Sequence, residues 1–108
     1  MLDFDLAHIG INCANGNEAL DVSAKFCGLF GWEQKVGGSS VFAGSRVECM
    51  KTPFKGQNGH IAIATNSVRR AVYQLQHQGI EADMSSAKYD ADGRMTNIYL
   101  KDEIGGFA

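Results

Sequence analysis

The chain has 108 residues, 44% of them hydrophobic, a single proline and a formal net charge of −2. That composition suits one compact domain and leaves no material for a second. Lys and Arg number 10 against 12 Asp and Glu, with no basic cluster beyond Arg69-Arg70, so the charge footprint of a nucleic-acid binder is missing, and apolar runs of a few residues fall far short of the ~20 that a membrane-spanning helix needs.

The opening, Met1-Leu2-Asp3-Phe4-Asp5, carries acid where a signal peptide carries base, which predicts a cytoplasmic protein. From Leu6 to Asn12, alternation puts His8, Gly10 and Asn12 on one face of a strand and Ile9 and Ile11 on the other. The isoleucines are the expected helix-facing, buried pair. Asn15-Gly16-Asn17 supplies turn and capping residues, after which Ala19, Val22, Phe26, Leu29 and Phe30 recur at helical spacing until Gly31 stops the run. A short strand over 32–36, a hairpin turn at Gly37-Gly38-Ser39-Ser40, a strand Val41-Phe42-Ala43, a turn at Gly44-Ser45 and a strand from Arg46 to Thr52 follow. The Gly-Gly-Ser-Ser run has neither the lysine nor the following helix of a phosphate loop.

A loop from Pro53 to Asn58 joins the halves and reads as a hinge. Beyond it His60-Ile61-Ala62-Ile63-Ala64 replays His8-Ile9-Gly10-Ile11-Asn12 at an offset of 52 residues. Asn66 or Ser67 caps a helix with apolar positions Val68, Ala71, Val72 and Leu75, and Gly79 closes it. Ile80 to Met84 is the next strand, Asp90-Ala91-Asp92-Gly93 a hairpin turn, Met95 to Lys101 the following strand, and Gly105-Gly106 opens one more that is cut off at Ala108. The chain is thus predicted to be one α+β domain over 1–108, two βαβββ modules (1–52 and 59–108, linker 53–58) forming a curved mixed sheet with helices on its outer face and the last strand truncated.

Several motifs fall away on spacing. Asp90 and Asp92 do not make an EF-hand loop, because Gly93 stands at the fourth position rather than the sixth. His77 lies among Gln74, Gln76 and Gln78 on the polar side of its helix. Cys13, Cys27 and Cys49 contain no CxxC pair and read as buried thiols, not a zinc site or disulfide framework.

A repeated βαβββ unit with a histidine in the first strand of each copy resembles the vicinal oxygen chelate superfamily, which includes glyoxalase I, bleomycin-resistance proteins and extradiol dioxygenases. The resemblance spans the whole chain. It implies metal ligands from the first and fourth strands of each module, and three positions match: His8 in Leu6-Ala7-His8-Ile9, Glu48 in Arg46-Val47-Glu48-Cys49-Met50, and His60 in Gly59-His60-Ile61-Ala62-Ile63. The family's fourth ligand, a glutamate in the closing strand, would fall about two residues past Ala108, within the pattern that Asp102 to Ala108 begins. The resemblance further implies a divalent metal (zinc, nickel, manganese, cobalt or iron), a small oxygen-rich substrate held through neighbouring oxygens, lyase or isomerase chemistry with Glu48 as the base, and a homodimer.

Strand parity agrees with that ligand set: His8 and His60 oppose the isoleucines, and Glu48 shares a face with Arg46 and Met50. Two imidazoles and a carboxylate suit such metals and leave positions free for substrate. The same residues also read as hydrogen-bonded structural histidines with Glu48 paired to Arg46. Asn12, Met50 and Ala62, with Tyr99 or Asn97, are the expected substrate-side neighbours. Two other classes fit: a metal-independent binding dimer like the bleomycin-resistance proteins, and an accessory domain, since 60–71 and 99–107 resemble the glyoxalase-like segment of some bacterial 2-dehydro-3-deoxyphosphogluconate aldolases.

Overall fold

Asn15 starts the first helix, α1 (Gly16–Phe30), by accepting a hydrogen bond from the Glu18 N–H at 2.9 Å, and Gly31 in the left-handed region (φ 70°) ends it. The second helix, α2 (Val68–His77), starts at Ser67, whose hydroxyl accepts from the Arg70 N–H at 3.2 Å. Around these helices the computed structural model, which describes all of Met1–Ala108, places strands β1 (Phe4–Asn12), β2 (Gln34–Val36), β3 (Ser40–Ala43), β4 (Val47–Met50), β5 (Gly59–Thr65), β6 (Ala82–Tyr89) and β7 (Met95–Leu100). The architecture is α+β. No helix is long and apolar enough to cross a membrane.

Five strands form one mixed sheet in the order β2-β3-β4-β1-β5, with β1 parallel to β4 and antiparallel to β5. Helix α1 covers β3 and β4 and closes the core of Cys13, Ala19, Val41 and Cys49, against which Ile11, Val22 and Val47 pack. All three cysteines are free thiols, with Cys13 and Cys49 buried and Cys27 half-buried.

Three expectations need correction. The sheet is not one continuous surface, because β6 and β7 pair only with each other. On β5 the further pairing is a parallel bridge to Phe107 and Ala108: the Ile61 N–H donates to Ala108 O at 2.9 Å and the Ala108 N–H to Gly59 O at 3.0 Å. The sixth strand starts two residues later than Ile80 and runs on to Tyr89, since the Ile80 N–H is taken by Leu75 O at 3.0 Å in the exit from α2. The isoleucines divide: Ile11 reaches the core, whereas Ile9, Ile61 and Ile63 stay exposed because neither helix lies over them.

A bulge accounts for the path of β1. Register shifts between Leu6 and His8, leaving Ala7 as the extra residue, so Leu6 pairs with Ile63 and Ile9 with Ile61. Phe4 and Leu6 therefore join the isoleucine face instead of the histidine face that simple alternation assigns to Leu6.

Candidate metal centre

His8 and Gly10 on β1 lie opposite Ala62 and His60 on β5, and Gly10 and Asn12 lie beside Glu48 and Met50 on β4. Parity brings three side chains to one spot on the face away from α1. His8 Nε2 and His60 Nε2 are 3.1 Å apart, His60 Nε2 and Glu48 Oε1 3.1 Å, and His8 Nε2 and Glu48 Oε1 3.3 Å. Donors about 2.1 Å from a common ion are about 3.4 Å apart on a tetrahedron and about 3.0 Å apart on an octahedral face. The triangle fits either, and these three are the group of ligand-type side chains that converge tightly enough to hold an ion.

Outer contacts fix two corners. Ser40 Oγ donates to Glu48 Oε2 at 2.8 Å, leaving Oε1 turned to the imidazoles. The edge of Phe42 meets the His8 ring at a centroid distance of 5.7 Å. The His60 ring lies flat on β1 over Gly10, where a Cβ would overlap it, and its Nδ1 is buried with no partner. Gly10 is thus required by the ring's position, and the orphan nitrogen is a cost the site carries. Arg46 does not pair with Glu48: its Nη1 donates to Leu6 O at 2.8 Å.

Burial pushes the His8 pKa below its ordinary value and the His60 charge adds to this, with Glu48 pulling the other way. The neutral imidazole, the form that binds metal, is favoured there. Tyr99, on β7, turns its ring edge toward His60 at 6.5 Å, and burial, with the Glu48 charge behind it, holds its phenol above the usual range. Of the two residues expected from the seventh strand, Tyr99 is the half-buried one and Asn97 the exposed one.

The linker proves to be a wall, not a free hinge. Asn12 Oδ1 accepts from the Phe54 N–H at 3.2 Å and Asn12 Nδ2 donates to Gly56 O at 2.9 Å, while Glu103 Oε1 accepts from the Gln57 N–H at 3.1 Å. Phe54 and Lys55 both pack on Tyr99, and Lys55 reaches Asp83 at 3.7 Å. Asn12, expected beside a substrate, here uses both ends of its amide to hold the linker. His77 is exposed, its Nδ1 2.9 Å from Tyr73 O. Sequence reasoning missed Ser40, which it placed in a turn; its position opposite Met50 in β3, one strand from Glu48, was the available signal.

No protein family matches the chain, and no curated protein or solved structure does either.

Proposed function

We propose that the protein is a glyoxalase-like divalent-metal-binding protein, a lyase or isomerase built from two βαβββ modules and acting on a small oxygen-rich molecule. The observation that carries this reading is the 3.1–3.3 Å triangle of His8 Nε2, Glu48 Oε1 and His60 Nε2, drawn from three strands and two halves of the chain. Purely structural histidines would be satisfied by one partner each. Here the Nε2 atoms of two imidazoles and one carboxylate oxygen all lie within 3.3 Å of one another, with the second carboxylate oxygen held by Ser40.

A divalent ion held by these residues would supply Lewis-acid polarisation of two neighbouring substrate oxygens. The chain's own contribution is positional. His8 and Glu48 come from the parallel β1–β4 pair and His60 from β5, so a substrate bound on this face meets a rigid sheet surface rather than a loop. Glu48 is the residue we assign to proton transfer, because it is the one carboxylate among the three and its Oε1 faces the site. Met50 and Ala62 share the face and line the substrate side, Tyr99 and Phe54 form its aromatic wall, and Asn12 acts through the linker it holds.

The test is calorimetric titration of metal-stripped protein with zinc, nickel and manganese, beside His60→Ala and Glu48→Ala variants shown to fold by circular dichroism. One ion per chain in the wild type, with affinity lowered at least about 100-fold in both variants, is the expected result. Absence of binding in folded wild-type protein would sink the metal reading.

A further inference from the structure

Strand β1 passes from one register to another at Ala7, and the place of that step decides which way His60 faces. Residues directly opposite each other in a strand pair share a face of the sheet. Beyond the bulge His8 pairs with Ala62 and Gly10 with His60, so both histidines come to one side. If the register of Phe4–Thr65, Asp5–Ala64 and Leu6–Ile63 ran on unbroken, His8 would lie opposite Ile61 and Ile9 opposite His60. His60 would then leave the side of His8 and Glu48, because a one-residue slip exchanges the two faces. Leu6-Ala7-His8 contains no glycine or proline that would hold the extra residue in place.

We propose that Arg46 is a positioning residue of the candidate metal centre: it fixes the bulge at Ala7 that brings His60 to the face of His8 and Glu48. Its place in a metal centre rests on the metal reading above, whereas its hold on the bulge does not. The ladder between β1 and β4 opens at Ile9–Val47, so the β1 residues ahead of Ile9 have no strand beside them on that edge. Arg46, immediately before β4, takes the strand's place. Its carbonyl accepts the Ile9 N–H at 2.8 Å and its Nη1 donates to Leu6 O at 2.8 Å, so one residue holds both sides of the bulge.

Backbone phase explains why this pair of bonds selects the bulged form. In a regular strand the N–H and C=O of one residue point to one edge and those of the next residue to the other. Ile9 and Cys13 donate toward β4, to Arg46 O at 2.8 Å and Met50 O at 3.2 Å. Leu6, three positions before Ile9, would in an unbroken strand turn its carbonyl to β5, away from Arg46. The extra residue at Ala7 reverses that phase, and beside the carbonyl the Leu6 N–H is accepted by Asp5 Oδ1 at 2.9 Å. The bond from Arg46 to Leu6 O therefore forms with the bulge between Leu6 and Ile9 and breaks if the bulge moves on toward Asn12. A guanidinium donor makes it one of the stronger hydrogen bonds available there.

Zinc titration by calorimetry and NMR of the metal-free protein test it together, on the whole chain, Arg46→Met, Arg46→Lys, and the wild type and Arg46→Met each with Ala7 deleted. In Arg46→Met, which keeps the stem and loses the donors, zinc affinity should fall at least about 10-fold, with partial recovery in Arg46→Lys. Affinity falls with the fraction of molecules in the competent register, so nuclear Overhauser contacts of Ile9 with Ile61 should give way to contacts with His60 to the same extent. Deleting Ala7 makes the pairing regular while keeping Leu6–Ile63 and His8–Ala62 opposite each other; there Arg46→Met should leave zinc affinity unchanged, which a merely stabilising role would not produce. Wild-type contacts and affinity in Arg46→Met overturn the proposal, as does an equal loss of affinity with and without Ala7. A wild-type protein that binds no zinc sinks the metal reading and with it the place of Arg46 in a metal centre, and the register contacts still decide its hold on the bulge. A readout without substitution guards against misfolding: the Arg46 Nη hydrogens should exchange at least about 10-fold more slowly than those of the exposed Arg69, and equal exchange also overturns the proposal.

Discussion

His8-Ile9-Gly10-Ile11 and His60-Ile61-Ala62-Ile63 sit in neighbouring strands of similar shape, yet what lies behind them differs. In the first half a 15-residue helix closes over a continuous run of strands, and Cys13, Ala19, Ser23, Val41, Ala43 and Cys49 become buried. In the second half a 10-residue helix buries Ala71, the β6–β7 pair stands apart from β5, and His60, still 7% exposed, is the only large buried side chain. A repeat in sequence specifies a strand and a helix locally. A core needs the strands to be contiguous, so that one helix can cover several of them at once. The His8–Glu48–His60 cluster straddles the difference, taking His8 and Glu48 from the packed half and His60 from the open one. Its geometry depends on the β1–β5 joint more than on either half.

The joint is where the largest effect is expected. Gly10→Val places a branched side chain in the volume of the His60 ring, which must swing away, leaving two ligands. Metal affinity should fall at least about 100-fold and unfolding free energy by about 3 kcal/mol, the upper range for overpacking. Urea denaturation and calorimetry would measure both. Gly28→Ala is the contrast: a Cβ there meets open space in α1, and the gain should be up to about 1 kcal/mol. Equal affinities in Gly10→Val and wild type would mean that the ring is free to find the same position without the glycine.

Below that comes a direct comparison of the two cores. Val41 is fully buried in the first half, and Val72, on α2, is only partly so. Val41→Ala should cost about 2 kcal/mol and Val72→Ala under about 1 kcal/mol in urea unfolding. Similar costs would show that the second half is sealed as tightly as the first. Native-state hydrogen exchange probes the same contrast without mutation. Amides of β6 and β7 should exchange at least about 10-fold faster than those of β1, β3 and β4, roughly 1.4 kcal/mol less protection.

Much of this was legible in the residues. Asn15, Gly31 and Ser67 act as the caps and stop that their types imply, and alternation correctly put His8, His60 and Glu48 on one face. What escaped is what alternation does not encode. The Ala7 bulge has no local signature, since Leu6-Ala7-His8 reads as plain strand, yet it turns Phe4 and Leu6 to the isoleucine face. Helix coverage was likewise out of reach: the pattern said that Ile61 and Ile63 want burial, and only three-dimensional placement of α2 beside β7 leaves them bare. Arg46 looked like a partner for Glu48 by spacing, but a backbone carbonyl one strand away took its guanidinium.

The smallest expected effect separates the halves by pH. Burial pushes the Cys49 thiol up to about 11 from an ordinary 9.0, and the neighbouring Cys13 thiol moves in the same direction for the same reason. In the unfolded chain these thiols ionise near the ordinary value, while in the folded one they hold their protons, so the folded state binds more protons above pH 9. Stability from them is fully present below that pH and is lost as pH rises toward 11. Near pH 9 the loss is only beginning and should be smaller than the mutational costs above, growing past them as pH nears 11, and thiol labelling assigns it to the packed half. At pH 9 the half-buried Cys27 should react with a maleimide first, and Cys13 and Cys49 only at the rate at which the first half opens. If Cys49 labelled as fast as Cys27, the α1 core would be as open as the hairpin half, and the contrast between the two repeats would lie in topology alone.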